Sequence, residues 1–142
     1  MQLAIDSGNT KTKFALFVKD QIEEQQAVFN KDANTFLENL LLANSISRAI
    51  VSCVSELEND FISILQKNNI KHLVLSSETK LPIKNTYKTP KTLGKDRIAM
   101  AVGAEQLYPN ENTLIISFGS CITYNFIEKS KFIGGAISPG IY

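Results

Sequence analysis

The chain has 142 residues, 44% of them hydrophobic, and a formal charge of +1. Such a length and composition supply a genuine core, and the near-neutral balance exerts no global pull toward nucleic acid or an anionic membrane. No run approaches the roughly eighteen apolar residues of a membrane span, and Asp6 stands where a secretory signal would be apolar, so the sequence reads as cytoplasmic.

Residues 2–6, 11–18 and 22–29 alternate or run apolar, with Lys19-Asp20-Gln21 as a turn, and predict a three-stranded meander. Phe36, Leu37, Leu40 and Leu41 recur at helical spacing up to Asn44, and Arg48 to Val54 reads as a buried strand. Leu57, Phe61, Ile64 and Leu65 mark a second helix, followed by a strand from His72 to Leu75. The order βββαβαβ is an α/β class, with a mostly parallel sheet behind an antiparallel hairpin edge. Residues 76–93, with Pro82 and Pro90, predict a long connection of the kind that often carries function. Gly94 opens a helix of small residues that ends before Pro109, and residues 112–117, 121–127 and 131–137 repeat the opening meander. The expected division is a first lobe over 1–93 and a linking helix with an incomplete second lobe over 94–142. Three strands without helices to cover them suggest a piece of a longer two-lobed protein, or a sheet completed by a partner chain.

Cys53 and Cys121 lie in apolar, strand-like runs and read as reduced core thiols. The single histidine, His72, reads as structural, and no cluster has zinc-ligand spacing. The chemistry lies instead in a repeat. Leu3-Ala4-Ile5-Asp6-Ser7-Gly8-Asn9-Thr10 returns 111 residues later as Leu114-Ile115-Ile116-Ser117-Phe118-Gly119-Ser120-Cys121. In each copy a strand ends at a glycine turn followed by small hydroxyl or amide residues, a form suited to phosphate oxygens. Two such hairpins facing each other would clamp a polyphosphate. Asp6 at the first strand end can hold Mg²⁺ through water, or simply cap its turn. Gly94-Lys95-Asp96-Arg97 forms a second cluster at a helix start: Asp96 is a candidate general base, and Arg97 offers a fork for a carboxylate or phosphate. The competing reading gives Asp96 to the helix dipole and Arg97 to solvent. Six basic residues between Lys80 and Arg97 (Lys80, Lys84, Lys88, Lys91, Lys95, Arg97) can steer an anionic small molecule. With Tyr87 as their sole aromatic they lack the interleaving of a single-strand binder.

Together these motifs resemble the type III pantothenate kinases of the actin/Hsp70/sugar-kinase group. The resemblance rests on Asp6-Ser7-Gly8-Asn9-Thr10, on Tyr87-Lys88-Thr89-Pro90 with Gly94-Lys95-Asp96-Arg97, and on Phe118 to Thr123 with Gly134 to Gly140. It implies a ribonuclease H-like βββαβαβ lobe of the actin-like ATPase superfamily, then the opening βββ of a second such lobe. It implies ATP-dependent phosphorylation of pantothenate to 4'-phosphopantothenate, the first committed step towards coenzyme A. It places Asp6, Gly8, Asn9, Thr10, Lys11, Gly119, Ser120 and Thr123 at the nucleotide. Asp96 would be the base, with Tyr87, Gly94, Lys95 and Arg97 around pantothenate. It further implies Mg²⁺ at Asp6, a monovalent cation (K⁺ or NH4⁺) and a homodimer, while the composition points to neither a nucleic-acid nor a membrane partner. Ser117 departs from the family pattern, which has an aspartate at this metal position, and Cys121 stands where a small alanine is favoured. The alternative is a non-catalytic regulatory relative, an accessory factor for transcription.

Overall fold

The computed structural model describes residues 1–140, Lys91 by its backbone alone. The chain packs as two compact units, Met1–Leu75 and a second that begins at Ser76.

The first unit runs β1 (Gln2–Ser7), β2 (Lys11–Val18), β3 (Gln21–Phe29), α1 (Ala33–Ala43), β4 (Arg48–Cys53), α2 (Glu58–Lys67) and β5 (Lys71–Val74). Its sheet has the order β3-β2-β1-β4-β5. β1 pairs antiparallel with β2 and parallel with β4, so two antiparallel pairings balance two parallel ones. The sheet is therefore mixed rather than mostly parallel, because the meander contributes as many pairings as the two crossover connections. Alternation along β1 and β2 sends Leu3, Ile5, Phe14 and Leu16 to one face, where Leu37, Phe61 and Leu65 of the two helices cover them. Phe14 lies 4.9 Å from Phe36 and edge-on to Phe61 at 6.3 Å. Each fully buried side chain of this size stabilises the unit by about 1.5–3 kcal/mol.

The second unit contains β6 (Lys84–Asn85), α3 (Lys95–Leu107), β7 (Thr113–Phe118), β8 (Cys121–Glu128) and β9 (Lys131–Pro139) in a sheet of order β6-β9-β8-β7. β6 lies inside the long connection and pairs parallel with β9. Two residues are too few to show a period in the sequence. Lys129 and Ser130 both take positive φ, 44° and 64°, which suits the tight two-residue turn between β8 and β9. α3 packs on β7 and β8, where Ile98, Ala101, Ile127 and Phe132 are buried. The opposite face is bare. Leu114, Ile116 and Phe118 are 56%, 45% and 69% exposed, although their counterparts in the repeat, Leu3, Ile5 and Ser7, are buried. Among the described residues β7 pairs only with β8, so its other edge is open. Cys53 is buried as expected, but Cys121 is exposed, because it starts β8 beside a turn that no layer covers.

Candidate active site

Asp6 is the second-last residue of β1, and its carboxylate is half exposed. Ser52 of the parallel neighbour β4 donates to it at 3.3 Å, and Lys13 of β2 stands 3.6 Å away. An ion pair this exposed fixes little, so the carboxylate is free to exchange its partner. Behind it the turn is closed by Gly8 N–H on the Lys11 carbonyl at 3.0 Å. Lys11 lays its ammonium over the Phe29 ring at 5.0 Å. Beneath the turn runs a polar network that no sequence pattern announces: Ser7 Oγ meets both Thr12 Oγ1 and Ser55 Oγ at 2.8 Å, and Thr12 donates to Asn30 at 2.9 Å.

In the second unit, Gly94 precedes α3, with Asp96 in its first turn. The Asp96 carboxylate folds back over that glycine; a Cβ on Gly94 would stand 2.5 Å from its Oδ1. Lys95 is half-buried beside it. Arg97 points inward and is only 5% exposed. Its Nε donates to Asn125 Oδ1 at 2.6 Å, Nη2 reaches the Tyr124 carbonyl at 3.4 Å, and the guanidinium lies 5.6 Å from the Tyr87 ring. Tyr87 in turn stacks on Phe132. The glycine pair of β9 makes this possible. Gly134 has φ +140°, a conformation that side chains rarely adopt, and a Cβ on Gly135 would collide with the Tyr124 carbonyl and stand 3.0 Å from Arg97 Nη2. The structure thus gathers Tyr87 and Arg97, two of the expected substrate residues. It adds Asn125, fully buried, whose Nδ2 finds no partner among the described residues. A lone amide in the apolar run Tyr124-Asn125-Phe126-Ile127 was the available signal for that residue.

The second glycine turn, Gly119-Ser120, closes through Gly119 N–H on the Cys121 carbonyl at 3.1 Å, and Gly140 N–H caps Ser120 at 3.2 Å. A Cβ on Gly140 would stand 2.5 Å from the Gly119 carbonyl, so the turn needs that glycine beside it. Ser117 is half-buried opposite Thr123, whose buried Oγ1 has no partner among the described residues. Among the described residues no three acidic, histidine or cysteine groups gather as a metal cage. Of the basic run, Lys80, Lys84 and Lys88 are exposed, Lys95 and Arg97 are not, and the Lys91 side chain lies outside the described residues.

A family profile described as type III pantothenate kinase matches residues 2–142. The chain belongs to the type III pantothenate kinase family. A family member of Christiangramia forsetii is 43% identical over 143 residues, covering 99% of this chain and 58% of its own length. One from Flavobacterium psychrophilum is 39% identical, covering 99% and 59%. The chain thus spans well under two thirds of the curated relatives it matches. Among solved structures, a conserved Campylobacter jejuni protein placed by its description in the Baf family of transcriptional activators is 25% identical. It has a TM-score of 0.57 and covers 98% of this chain and 55% of its own. The Aquifex aeolicus Ppx/GppA phosphatase, type II variant, has the same TM-score at 13% identity, with 99% and 52% covered, a likeness of fold alone. The chain and these neighbours share an α/β fold of mixed sheets and helices. No helix among the described residues is long and apolar enough to cross a membrane.

Proposed function

We propose that this chain carries part of the machinery of an ATP-dependent pantothenate kinase, which transfers the γ-phosphoryl group of ATP to the substrate's primary hydroxyl and yields 4'-phosphopantothenate. One observation supports this beyond family membership. Arg97 buries a guanidinium with no carboxylate partner among the described residues, held only by Asn125, the Tyr124 carbonyl and the Tyr87 ring. A buried cation without a counter-charge is costly, and an acid substrate that brings a carboxylate offsets that cost. Asp96, the preceding residue, accepts the proton of the attacking hydroxyl in this reading, while Tyr87, Gly94 and Lys95 shape the surroundings.

The nucleotide side is assigned to Asp6, Gly8, Asn9, Thr10 and Lys11 of the first turn and to Gly119, Ser120 and Thr123 of the second. The first unit then corresponds to a ribonuclease H-like lobe and the second carries the opening meander of another, the element order and the repeated meander supporting that correspondence. The donor chemistry fits Mg²⁺ at Asp6, because this ion is commonly held by one or two carboxylates with water and phosphate filling the rest. At Asp6 such an ion would supply positive charge to offset that of the phosphates. Ser117 contributes a hydroxyl and no charge. No residue is assigned to a monovalent cation, which enters only as an assay variable, and a homodimer in the cytoplasm belongs to the same reading. The test is a coupled assay on the protein expressed from its complete coding sequence, with ATP, Mg²⁺, K⁺ and pantothenate. Turnover that requires both ATP and pantothenate is expected. Nucleotide binding with no phosphorylated pantothenate across these ions overturns the proposal.

A further inference from the structure

The turn after β1 is held from behind by one side chain. Asn30, just past β3, donates its Nδ2 to the Gly8 carbonyl at 2.9 Å and to the Asn9 carbonyl at 3.1 Å. Its own backbone N–H takes the Thr10 carbonyl at 3.1 Å. Three consecutive carbonyl oxygens of the turn are thereby drawn to one residue. The Gly8 and Asn9 carbonyls can only accept, so they call for the Nδ2 end of the amide, which leaves Oδ1 to accept from Thr12, fully buried. Ser7 and Ser55 then tie Thr12 back to β1 and to the residues after β4.

The opposite side of the turn is uncommitted. Among the described residues the N–H groups of Asn9 and Thr10 make no hydrogen bond, whereas that of Gly8 is used. A carbonyl oxygen repels an anion and an N–H attracts one, so which set a tight turn presents decides whether a phosphate is accepted. We propose that Asn30 is a positioning residue for the phosphate-binding turn: it draws the carbonyls of residues 8–10 inward and so leaves the amide groups of Asn9 and Thr10 for the phosphates of the nucleotide. This rests on the nucleotide assignment made above and adds a residue that the sequence motif does not contain. The role is unlike that of an ordinary turn cap. A cap stabilises the fold, whereas this contact sets which atoms a ligand meets.

Asn30→Asp is the direct test. It keeps the acceptor for Thr12 but replaces two donated hydrogen bonds with a carboxylate facing two carbonyls. In the protein expressed from its complete coding sequence, KM for ATP and the calorimetric Kd for ATP should each rise about 10-fold or more, with KM for pantothenate within about twofold of the unchanged protein. Folded protein with ATP affinity unaltered overturns the proposal, and so does a variant that loses only its active fraction while both KM values stay put. Where Asn30→Asp does not fold, Thr12→Val decides in the same terms, since it removes the bond that anchors the amide oxygen while keeping the volume. The calorimetric arm separates this inference from the kinase reading. Wild-type protein that binds ATP without phosphorylating pantothenate defeats that reading, and the Asn30 comparison is still scored on ATP affinity.

Discussion

Two glycine-to-alanine changes in the second unit should move its stability in opposite directions. Gly103 lies on the exposed side of α3, and a Cβ there meets nothing within 4 Å. Alanine is favoured over glycine inside a helix by about 0.8–1.0 kcal/mol, so Gly103→Ala should stabilise the unit by about that much. Gly135 is different. Its Cβ would collide with the Tyr124 carbonyl oxygen, stand 2.7 Å from the carbonyl carbon and crowd Arg97 at 3.0 Å. Overpacking usually costs about 1–3 kcal/mol, and here the obstacle is backbone of the paired strand, which cannot turn aside as a side chain end does. The top of that range, about 3 kcal/mol, is the expectation. With a urea slope of about 2 kcal/mol per M, Gly135→Ala should lower the unfolding midpoint by about 1.5 M and Gly103→Ala should raise it by about 0.5 M. The tyrosines stand at positions 87, 108, 124 and 142, none of them within Met1–Leu75, so tyrosine fluorescence carries no signal from the first unit. Two shifts of the same sign, or a Gly135→Ala midpoint within about 0.2 M of wild type, would refute the close approach of β8, β9 and Arg97.

Asp96→Asn keeps shape but cannot accept a proton, so kcat should fall by about 10²–10⁴ while the melting temperature hardly moves; surviving turnover would return Asp96 to the helix dipole. Arg97→Lys keeps the charge but loses the planar guanidinium that bonds Asn125 through Nε and the Tyr124 carbonyl through Nη2, and steady-state kinetics should show KM for pantothenate rising more than KM for ATP. Ser117→Asp adds a carboxylate at the second strand end and should lower the Mg²⁺ concentration needed for ATP binding by calorimetry; an unchanged dependence would mean that no metal approaches β7. Ser130 donates to Glu105 at 2.6 Å and Asn110 N–H at 2.9 Å, and these bonds hold the carboxyl below its ordinary value near 4.5. A depressed acid stabilises the fold fully above that ordinary value and loses the contribution as pH falls through the folded one. Glu105→Gln should therefore cost stability near pH 7 and little near pH 2, read from urea midpoints at the two pH values; an equal loss at both would deny the linkage.

The meanders and helices were legible because their apolar periods are long: Leu3, Ile5, Phe14 and Leu16 alternate, while Phe36 to Leu41 recur at helical spacing. β6 was not, since Lys84–Asn85 gains its identity only from β9. The exposure of Cys121 was hidden for a related reason. An apolar run tells which residues suit a strand, not whether another layer covers them. At the site, Tyr87 and Arg97 stood out as motif residues, but their meeting depends on Gly134 and Gly135 on a distant strand. Asn30 carried no signal and Asn125 only that of a lone amide in an apolar run, because each acquires its role from carbonyls or cations brought in by tertiary folding.

The uncovered face of β7 bears on how this chain behaves at high concentration. Thr113-Leu114-Ile115-Ile116-Ser117-Phe118 is six residues long, rich in β-branched side chains, and free of charge, proline and glycine. Those are the properties of segments that stack into dry, interlocked cross-β interfaces. Here the segment stands on an open sheet edge, with three of its large side chains in solvent. An edge of this kind is a template for any strand of like pattern, including the same hexapeptide of another molecule. A charge in the middle of that bare face, as in Ile116→Lys, is the kind of gatekeeper that would slow such stacking.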